Sequence, residues 1–199
     1  MSAEKEQTLF EHKGLFRDSL YVNDISADGR LVLFQLRGSL GASNLWLLRQ
    51  GASAPEPFSK SKAFDVDATF SPDGKWVAYQ RNEAGQRATV YVQPYPATGG
   101  KFQISRDVGF KPLWRSDGKE LFFLNEQGLM SVAIETANGF HASAPRLGFE
   151  MRLFGRGGIV GRQYGVTRDG HRFLVNLPQQ ESKPQTLTVT TNWLAAARK

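Results

Sequence analysis

The sequence contains no cysteine, and it has only three histidines, His12, His141 and His171. Without cysteine, the chain has neither a disulfide framework nor a thiolate zinc site. The histidines do not occur at the spacing of metal ligands on a helix or a strand. We therefore expect them to be loop or surface residues, and we expect no metal and no cofactor.

Long apolar runs are also absent, since no stretch approaches the roughly 20 apolar residues of a membrane-spanning helix. The first 14 residues are charged and lack the apolar segment of a secretion signal. A complete protein of this sequence is expected in the cytoplasm. For the C-terminal part of a larger protein, preceding segments would set the location, including an extracytoplasmic one, so the composition leaves the compartment open.

Catalytic signatures are missing as well. The sequence has no Gly-x-Ser-x-Gly nucleophile motif and none of the protein kinase motifs. The net charge of +6 arises in the last quarter of the chain, because residues 1–150 carry 17 basic and 17 acidic side chains. This basic region lacks the interleaved aromatic residues on which nucleic acid bases stack, so nucleic acid is not an expected partner.

What the sequence does contain is a repeat. Asp-Gly pairs occupy residues 28–29, 73–74, 117–118 and 169–170, so the separations are 45, 44 and 52 residues. A short strand pattern precedes each Asp-Gly pair, and two longer strand patterns follow it. Three of the four copies also contain a fourth strand pattern. Because catalysis needs one special pair of carboxylates, four equivalent aspartates favour a role in turns.

Units of about 44 residues with four strands are typical of β-propeller blades. The sequence therefore predicts an all-β fold of about four antiparallel four-stranded blades, either a partial propeller or a small closed ring. A two-sheet sandwich is the alternative, since it also has regularly spaced strands. Stacked blades cover each other's apolar faces, and the large side chains expected between them are Trp46, Trp76, Phe122 and Phe173.

Residues Phe70–Lys75 (FSPDGK), the aromatic-rich strand after them and Val90-Tyr91-Val92 resemble a WD-repeat-like blade of TolB-type β-propellers. Lys111–Phe123 shows the same pattern, with Arg115 expected to play no particular role. The resemblance extends from about Leu9 to Trp193, and the C-terminal blades are similar to those of bacterial stand-alone or kinase-linked propellers. It implies the fold and very little about function.

The whole chain, residues 1–199, is predicted to be one propeller domain. The blades are placed at about residues 18–60, 63–105, 109–154 and 162–193, with residues 7–10 as an outer strand of a neighbouring or the last blade. Such propellers usually have six or more blades, so an incomplete ring is favoured over a closed ring of four. The open edges of an incomplete ring are expected to self-associate.

The longest separation contains an extra segment, Met151–Arg162, which is rich in glycine and arginine. Its glycines do not fit a dinucleotide-binding fingerprint, because Val160 occupies the third glycine position. One interpretation is a long loop between blades. The other is a loop at the propeller mouth that binds an anion or an acidic partner. The candidate binding residues are Arg152, Arg156, Arg162 and Arg168.

The innermost strands offer Asp24, Asp65 and Asp67, with no base or metal ligands expected around them. We therefore expect a non-catalytic scaffold that binds a protein or peptide partner and belongs to a larger propeller or multidomain signalling protein. The alternative is an enzyme, or a domain that binds a small molecule or glycan, with its site in the central channel.

Overall fold

The computed structural model describes residues 19–37, 43–59, 62–98, 100–151 and 162–176. All regular secondary structure within these ranges is strand. The strands are β1 (Ser19–Ile25), β2 (Leu31–Arg37), β3 (Ser43–Arg49), β4 (Glu56–Pro57), β5 (Phe64–Phe70), β6 (Trp76–Asn82), β7 (Thr89–Pro94), β8 (Phe102–Gln103), β9 (Phe110–Trp114), β10 (Glu120–Leu124), β11 (Gly128–Glu135), β12 (His141–Ala142), β13 (Arg146–Glu150), β14 (Tyr164–Val166) and β15 (Phe173–Val175).

The strands form successive antiparallel sheets, each of which is a propeller blade. Blade 1 is β1–β4 and blade 2 is β5–β8, with strands paired in chain order. Blade 3 is β9–β13, and its third strand, β11, pairs with both β12 and β13. Blade 4 contains β14 and β15 in the described part of the chain. The predicted all-β architecture of antiparallel four-stranded blades is thus confirmed.

Every Asp-Gly pair forms the same corner between the first and second strands of its blade. An oxygen of each aspartate accepts a hydrogen bond from the backbone N–H two residues later, at 3.0 to 3.1 Å. Each glycine has φ between +70 and +77°, a conformation that costs glycine little. In blades 1, 2 and 4 a hydroxyl two residues earlier also donates to the aspartate, from Ser26, Ser71 and Thr167. The predicted turn role is confirmed.

Blade 3 has an arginine at the hydroxyl position, and this arginine is not the neutral substitution that the sequence suggested. Arg115 donates to both oxygens of Asp117 at 2.8 Å and to Glu120 at 2.7 Å. The hydrogen bond from Arg115 is the main reason that the pKa of Asp117 falls to about 2. Arg115 also lies so close to Gly170 of blade 4 that an added methyl group there would clash with it.

Three buried apolar clusters fill the interfaces between successive blades. Leu33, Leu47, Phe70 and Tyr79 are among the residues between blades 1 and 2. The other two clusters lie between blades 2 and 3 and between blades 3 and 4. Each cluster draws side chains from both blades, so each removes two sheet faces from water, at roughly 25 cal/mol per Å² of apolar surface.

Three of the four large side chains predicted between blades are confirmed there. Trp76 packs against the cluster between blades 2 and 3, and Phe122 and Phe173 belong to the interface of blades 3 and 4. The fourth, Trp46, does not belong to any of the three clusters. It alternates along β3 with Leu45 and Leu47, which face blade 2, so it lies on the opposite face of blade 1.

Blade 2 contains a buried ion pair between its first two strands. Arg81 donates to both carboxylate oxygens of Asp65, at 2.7 and 2.9 Å, and the Asp65 side chain is fully buried. The Arg81 guanidinium also lies 5.6 and 5.8 Å from the ring centroids of Tyr79 and Tyr91. The hydrogen bonds to Asp65 raise the pKa of Arg81, so the guanidinium stays protonated.

Replacing Gly74 with alanine tests the corner. No atom lies within 4 Å of the added Cβ, so the expected cost is the backbone conformation alone, about 1 kcal/mol in the free energy of unfolding. Gly165→Ala is the control, because that site is equally open and its φ is not in the left-handed region. Urea unfolding of both variants measures the difference, and equal effects would contradict the corner's requirement for glycine.

Asp65→Ala tests the buried ion pair. The substitution leaves a buried guanidinium without this partner, so we expect a loss of about 3–5 kcal/mol in the free energy of unfolding. The double variant Asp65→Val with Arg81→Met, which removes both charges, is expected to recover part of that loss. A double variant less stable than Asp65→Ala in urea unfolding would contradict this account.

Candidate functional site: the channel cavity

The first strands of the blades converge on one cavity. Residues of β1, β5 and β9, together with residues 162–164 at the start of blade 4, border a space of about 550 Å³, which we call the channel cavity. This volume lies in the range of ligand pockets, roughly 300 to 1,000 Å³. Because propeller blades place their first strands innermost, one strand from each blade reaches the same space.

The first strands of blades 1, 2 and 3 are interrupted by bulges beside this cavity. Their pairing with the second strand shifts between Val22 and Asp24, between Val66 and Thr69, and between Phe110 and Leu113. A bulge leaves residues unpaired and changes the direction of a side chain. The bulges of the first strands therefore turn side chains toward the cavity that in a regular strand would stand perpendicular to the sheet.

Two bulge residues have a strained backbone. Asp67 has φ of +53° and Lys111 has φ of +56°, and both are non-glycine residues in the left-handed region. This conformation is least unusual for aspartate and asparagine, whereas a lysine gains no local hydrogen bond from it. Strain of this kind occurs preferentially at binding and catalytic sites, where the surrounding structure maintains it.

The strained residues occupy equivalent positions of the repeat. Asp67 and Lys111 each lie six residues before the corner aspartate of their blade, and Val22 and Gln163 occupy the same place in blades 1 and 4. All four of these residues line the channel cavity. We call this place the bulge position after blades 2 and 3, where it lies within the bulge. In blade 1 Val22 is still paired with Phe34 and the register shifts after it, and the described pairing of blade 4 has no shift. From this position the repeat delivers an apolar, an acidic, a basic and an amide side chain to one cavity.

Asp67 and Lys111 form an ion pair across the two middle blades. Lys111 Nζ lies 2.8 Å from Asp67 Oδ1, and their side chains are 7 % and 21 % exposed for Lys111 and Asp67, respectively. Burial raises the pKa of Asp67, and the positive charges of Lys111 and Arg162 oppose that rise. The Asp67 carboxylate therefore depends on its cationic neighbours to stay ionised.

Neighbouring strands hold the two bulges in place. The backbone N–H of Asp67 donates to Gln35 Oε1 at 3.2 Å, and the Tyr164 hydroxyl donates to the carbonyl of Lys111 at 2.9 Å. Gln35 is on β2 of blade 1 and Tyr164 is on β14 of blade 4, so each bulge is supported by a neighbouring blade. Loss of either support is expected to release the strained backbone.

The lining of the channel cavity carries more positive than negative charge. Arg37, Lys111 and Arg162 are its cationic residues and Asp67 is its anionic residue, a balance of 3 − 1 = +2. A concave surface of one sign attracts ligands of the opposite sign and raises their local concentration. The cavity therefore suits a ligand with a negative group.

A second cavity, of about 540 Å³, lies between the corners of blades 2 and 3. Trp76 and Trp114 line it, and so do Asp73 and Asp117. Both carboxylates are already committed to hydrogen bonds within their own corners. The channel cavity is therefore the stronger candidate for a binding site.

The four arginines predicted from the sequence to bind a partner do not all lie at the channel cavity. Arg162 lines the channel cavity. Arg168 lies in the corner of blade 4, at the other end of β14, where its backbone carbonyl accepts a hydrogen bond from Ser116. Arg152 and Arg156 lie outside the described residues. The role of these four arginines in binding stays a prediction.

The innermost aspartates have partners that the sequence did not suggest. Asp65 pairs with Arg81, Asp67 pairs with Lys111, and Asp24 accepts hydrogen bonds from the Thr69 hydroxyl and the Phe70 N–H at 2.7 and 2.9 Å. Lys111 was missed as a candidate. Its distance of six residues from the corner aspartate, equal to that of Asp67, is the signal that could have identified it.

Among the described residues, no group of three or more His, Cys, Asp or Glu side chains is arranged to hold a metal ion. That part of the chain also has no helix of the length and apolarity needed to cross a bilayer.

Comparison with solved structures identifies the fold. The chain superposes with a TM-score of 0.50 on a TolB protein from Agrobacterium tumefaciens, at 12 % sequence identity, over 66 % of this chain and 50 % of that one. TolB from Acinetobacter baumannii also gives a TM-score of 0.50, at 16 % identity, over 79 % of this chain and 41 % of that one. The chain is built of TolB-like β-propeller blades.

Sequence comparisons give shorter matches. No protein-family model matches the chain. WD repeat-containing protein 91 from Xenopus tropicalis is 28 % identical over 134 residues, which are 66 % of this chain and 16 % of that protein. Uncharacterized peptidase YuxL from Bacillus subtilis is 27 % identical over 82 residues, 40 % of this chain and 12 % of that protein. The chain thus spans a small part of the length of both relatives.

The Asp67–Lys111 pair predicts a pH dependence of stability. Because the pKa of Asp67 is raised in the folded protein, its contribution to stability is full below about pH 4 and is lost as the pH rises through the raised pKa. Lys111→Gln removes the main opposing charge, so the pKa of Asp67 should rise further and the loss should extend to higher pH. Urea unfolding between pH 4 and 7 measures this effect.

Asp67→Asn is the control for that titration. The Lys111→Gln variant that also carries Asp67→Asn should lose the added pH dependence, since the titrating group is gone. If the added pH dependence persists without the Asp67 carboxyl, another group causes it.

Proposed function

We propose that this TolB-like propeller is a non-catalytic interaction module that binds a protein or peptide partner in the channel cavity. The observation that carries the proposal is the convergence of four first strands, one from each blade, on a single cavity with four different side chains at the bulge position. A rigid scaffold that carries variable side chains at one place is well suited to specific binding.

The apolar part of the cavity supports a peptide as the partner. Leu20 and Val22 line the cavity on β1 and are 41 % and 63 % exposed. Large exposed aliphatic side chains next to charged ones suit a segment with both apolar and polar residues. Arg162 adds a positive charge at the same place, and we keep the prediction that Arg152, Arg156 and Arg168 also contribute to binding an acidic partner.

We further propose that the module acts as part of a larger propeller or multidomain protein. The support is the small share of each relative that this chain covers, 12 % and 16 % of the two matched proteins. In that arrangement, the open faces of the first and last blades would contact further blades or a second copy of the chain.

A second candidate is a propeller enzyme, or a domain that binds a small molecule or glycan, with its site in the same cavity. The observation that favours it is the name of one relative, Uncharacterized peptidase YuxL. The cavity volume of about 550 Å³ also accommodates a small molecule. Specific turnover of peptide nitroanilides by the purified protein would move the conclusion to this candidate.

Blocking the cavity tests the interaction proposal. Random peptides displayed on phage are selected on the purified protein, and the affinities of the selected peptides are measured by fluorescence anisotropy. Val22→Trp places a large ring at the cavity and should weaken binding at least about tenfold, because the ring excludes the peptide.

Leu174→Trp is the matched control, since Leu174 is an aliphatic residue of β15 that is 82 % exposed and does not line the channel cavity. The control should bind the peptides as the unmodified protein does. Peptides that tolerate Val22→Trp, or that are lost equally from both variants, would show that the channel cavity is not the binding site.

A further inference from the structure

We propose that the channel cavity binds a carboxylate of an acidic peptide on Lys111 Nζ, and that in the free protein Asp67 occupies the place of that carboxylate. The proposal rests on the interaction function proposed above and specifies its chemistry. On binding, the ligand carboxylate takes over the lysine, and Asp67 is released from the pair.

The first argument is the unequal charge of the site. If Asp67 and Lys111 neutralise each other, Arg37 and Arg162 remain as cations of the cavity lining that form no ion pair with another described residue. This excess of positive charge attracts a ligand carboxylate, whereas it would repel a ligand cation. A negative group is therefore the ligand chemistry that the cavity favours.

The second argument is the position of the ion pair. A buried ammonium group needs a partner, because an unpaired buried charge costs several kcal/mol. Lys111 obtains that partner from the equivalent position of the preceding blade, 2.8 Å away, although both residues must adopt the left-handed backbone conformation. Strain at both members of one pair indicates that the ammonium is held at the cavity for a purpose other than stability.

The third argument is that Asp67 can be displaced without leaving a buried charge behind. Its side chain is mostly buried, and burial raises its pKa, so it can take up a proton once Lys111 is occupied by the ligand. The positive charges of Lys111 on β9 and of Arg162 oppose this rise in the pKa of Asp67. Three further groups line the cavity, namely Tyr21 of β1, Arg37 of β2 and Tyr164 of β14, while Asp24 of β1 hydrogen-bonds Thr69 and Phe70 of β5.

Gln163, at the bulge position of blade 4, adds a group that can turn toward the ligand. It is 4 % exposed, and its Oε1 has no hydrogen-bond partner among the described residues. Rotation of the amide toward a peptide N–H therefore breaks no hydrogen bond of that oxygen. A peptide supplies both the carboxylate for Lys111 and the N–H for Gln163, and its apolar side chains suit Leu20 and Val22.

The probe is a fluorescein-labelled hexapeptide of alternating leucine and glutamate, and its matched control has glutamine in place of glutamate. Fluorescence anisotropy should show at least about tenfold tighter binding of the glutamate peptide, the size expected for a hydrogen-bonded charge pair. Free succinate should compete only weakly. If succinate binds with the same affinity as the glutamate peptide, the ligand is a small dicarboxylate and the proposal of a peptide is overturned.

Two substitutions should shift the affinity in opposite directions. Lys111→Gln removes the ammonium and should weaken binding of the glutamate peptide at least about tenfold. Asp67→Asn removes the internal competitor and should strengthen it. Damage to the structure would weaken binding in both variants, so the opposite sign separates the proposal from a structural role. If Lys111→Gln does not fold, the affinity of Asp67→Asn for the glutamate peptide decides: an increase supports the proposal, and no increase overturns it.

The charge control is Arg87→Gln. Arg87 pairs with Glu126 of blade 3 at an exposed site, so this variant loses one positive charge, as Lys111→Gln does, but outside the cavity lining. Its affinity should change less than twofold. An effect equal to that of Lys111→Gln would show a general electrostatic attraction and overturn the assignment to Lys111.

Proton uptake gives an independent readout. Isothermal titration of the glutamate peptide in two buffers with different ionisation enthalpies should show net proton uptake by the unmodified protein and none by Asp67→Asn. Absence of uptake in the unmodified protein would overturn the exchange of carboxylates. If selected peptides are blocked by Val22→Trp but are indifferent to Lys111→Gln, this inference fails while the proposed interaction function stands.

Discussion

The structure depends on the burial of blade faces against each other. A four-stranded antiparallel sheet of this composition has two apolar faces, and a single blade cannot remove both from water. Each of the three apolar clusters joins two successive blades, so every interface stabilises two sheets at once. The stacking also decides where the first strands lie, because blades that pack face to face around a common axis bring those strands together.

Convergence of the first strands conflicts with regular hydrogen bonding. Side chains on the innermost strands have little room, and a continuous ladder would keep every side chain perpendicular to its sheet. The bulges at Asp67 and Lys111 resolve this conflict by sacrificing pairing for two residues and turning side chains toward the cavity. The hydrogen bonds from Tyr164 and to Gln35 come from neighbouring blades, so blade stacking also maintains the strained backbone.

The parts of the fold that depend on local chemistry could be predicted from the sequence. The Asp-Gly corner is such a part, because one carboxylate, one glycine and the residues within three positions make the hydrogen bonds that close the turn. Its recurrence at about 44 residues then indicates blades. Trp46 shows the limit, since its size suggested an interface, whereas alternation along β3 places Leu45 and Leu47 there instead.

The candidate site was less predictable, because its contacts join residues far apart in sequence. Asp67 was recognised as an innermost residue, but its partner is 44 residues away, and no local pattern pairs an aspartate with a lysine of the next blade. Arg115 was underestimated for the same reason, since its contact with Gly170 belongs to another blade. Only the register of the repeat, counted from each corner aspartate, brings such residues to a common position.

The repeat thus places the residues that build each blade and the residues that face the cavity at different positions. The corner carries the same Asp-Gly pair in all four copies, and in each the hydrogen bond from the backbone N–H to the aspartate lies within its own blade. The bulge position carries valine, aspartate, lysine and glutamine, none of which the corner needs. In blades 2 and 3 this position lies in a bulge, outside the regular pairing of its strand, so its identity there is free to be set by what enters the cavity. An ion pair made of two such residues, in a backbone conformation that disfavours both, is therefore better explained by ligand binding than by stability.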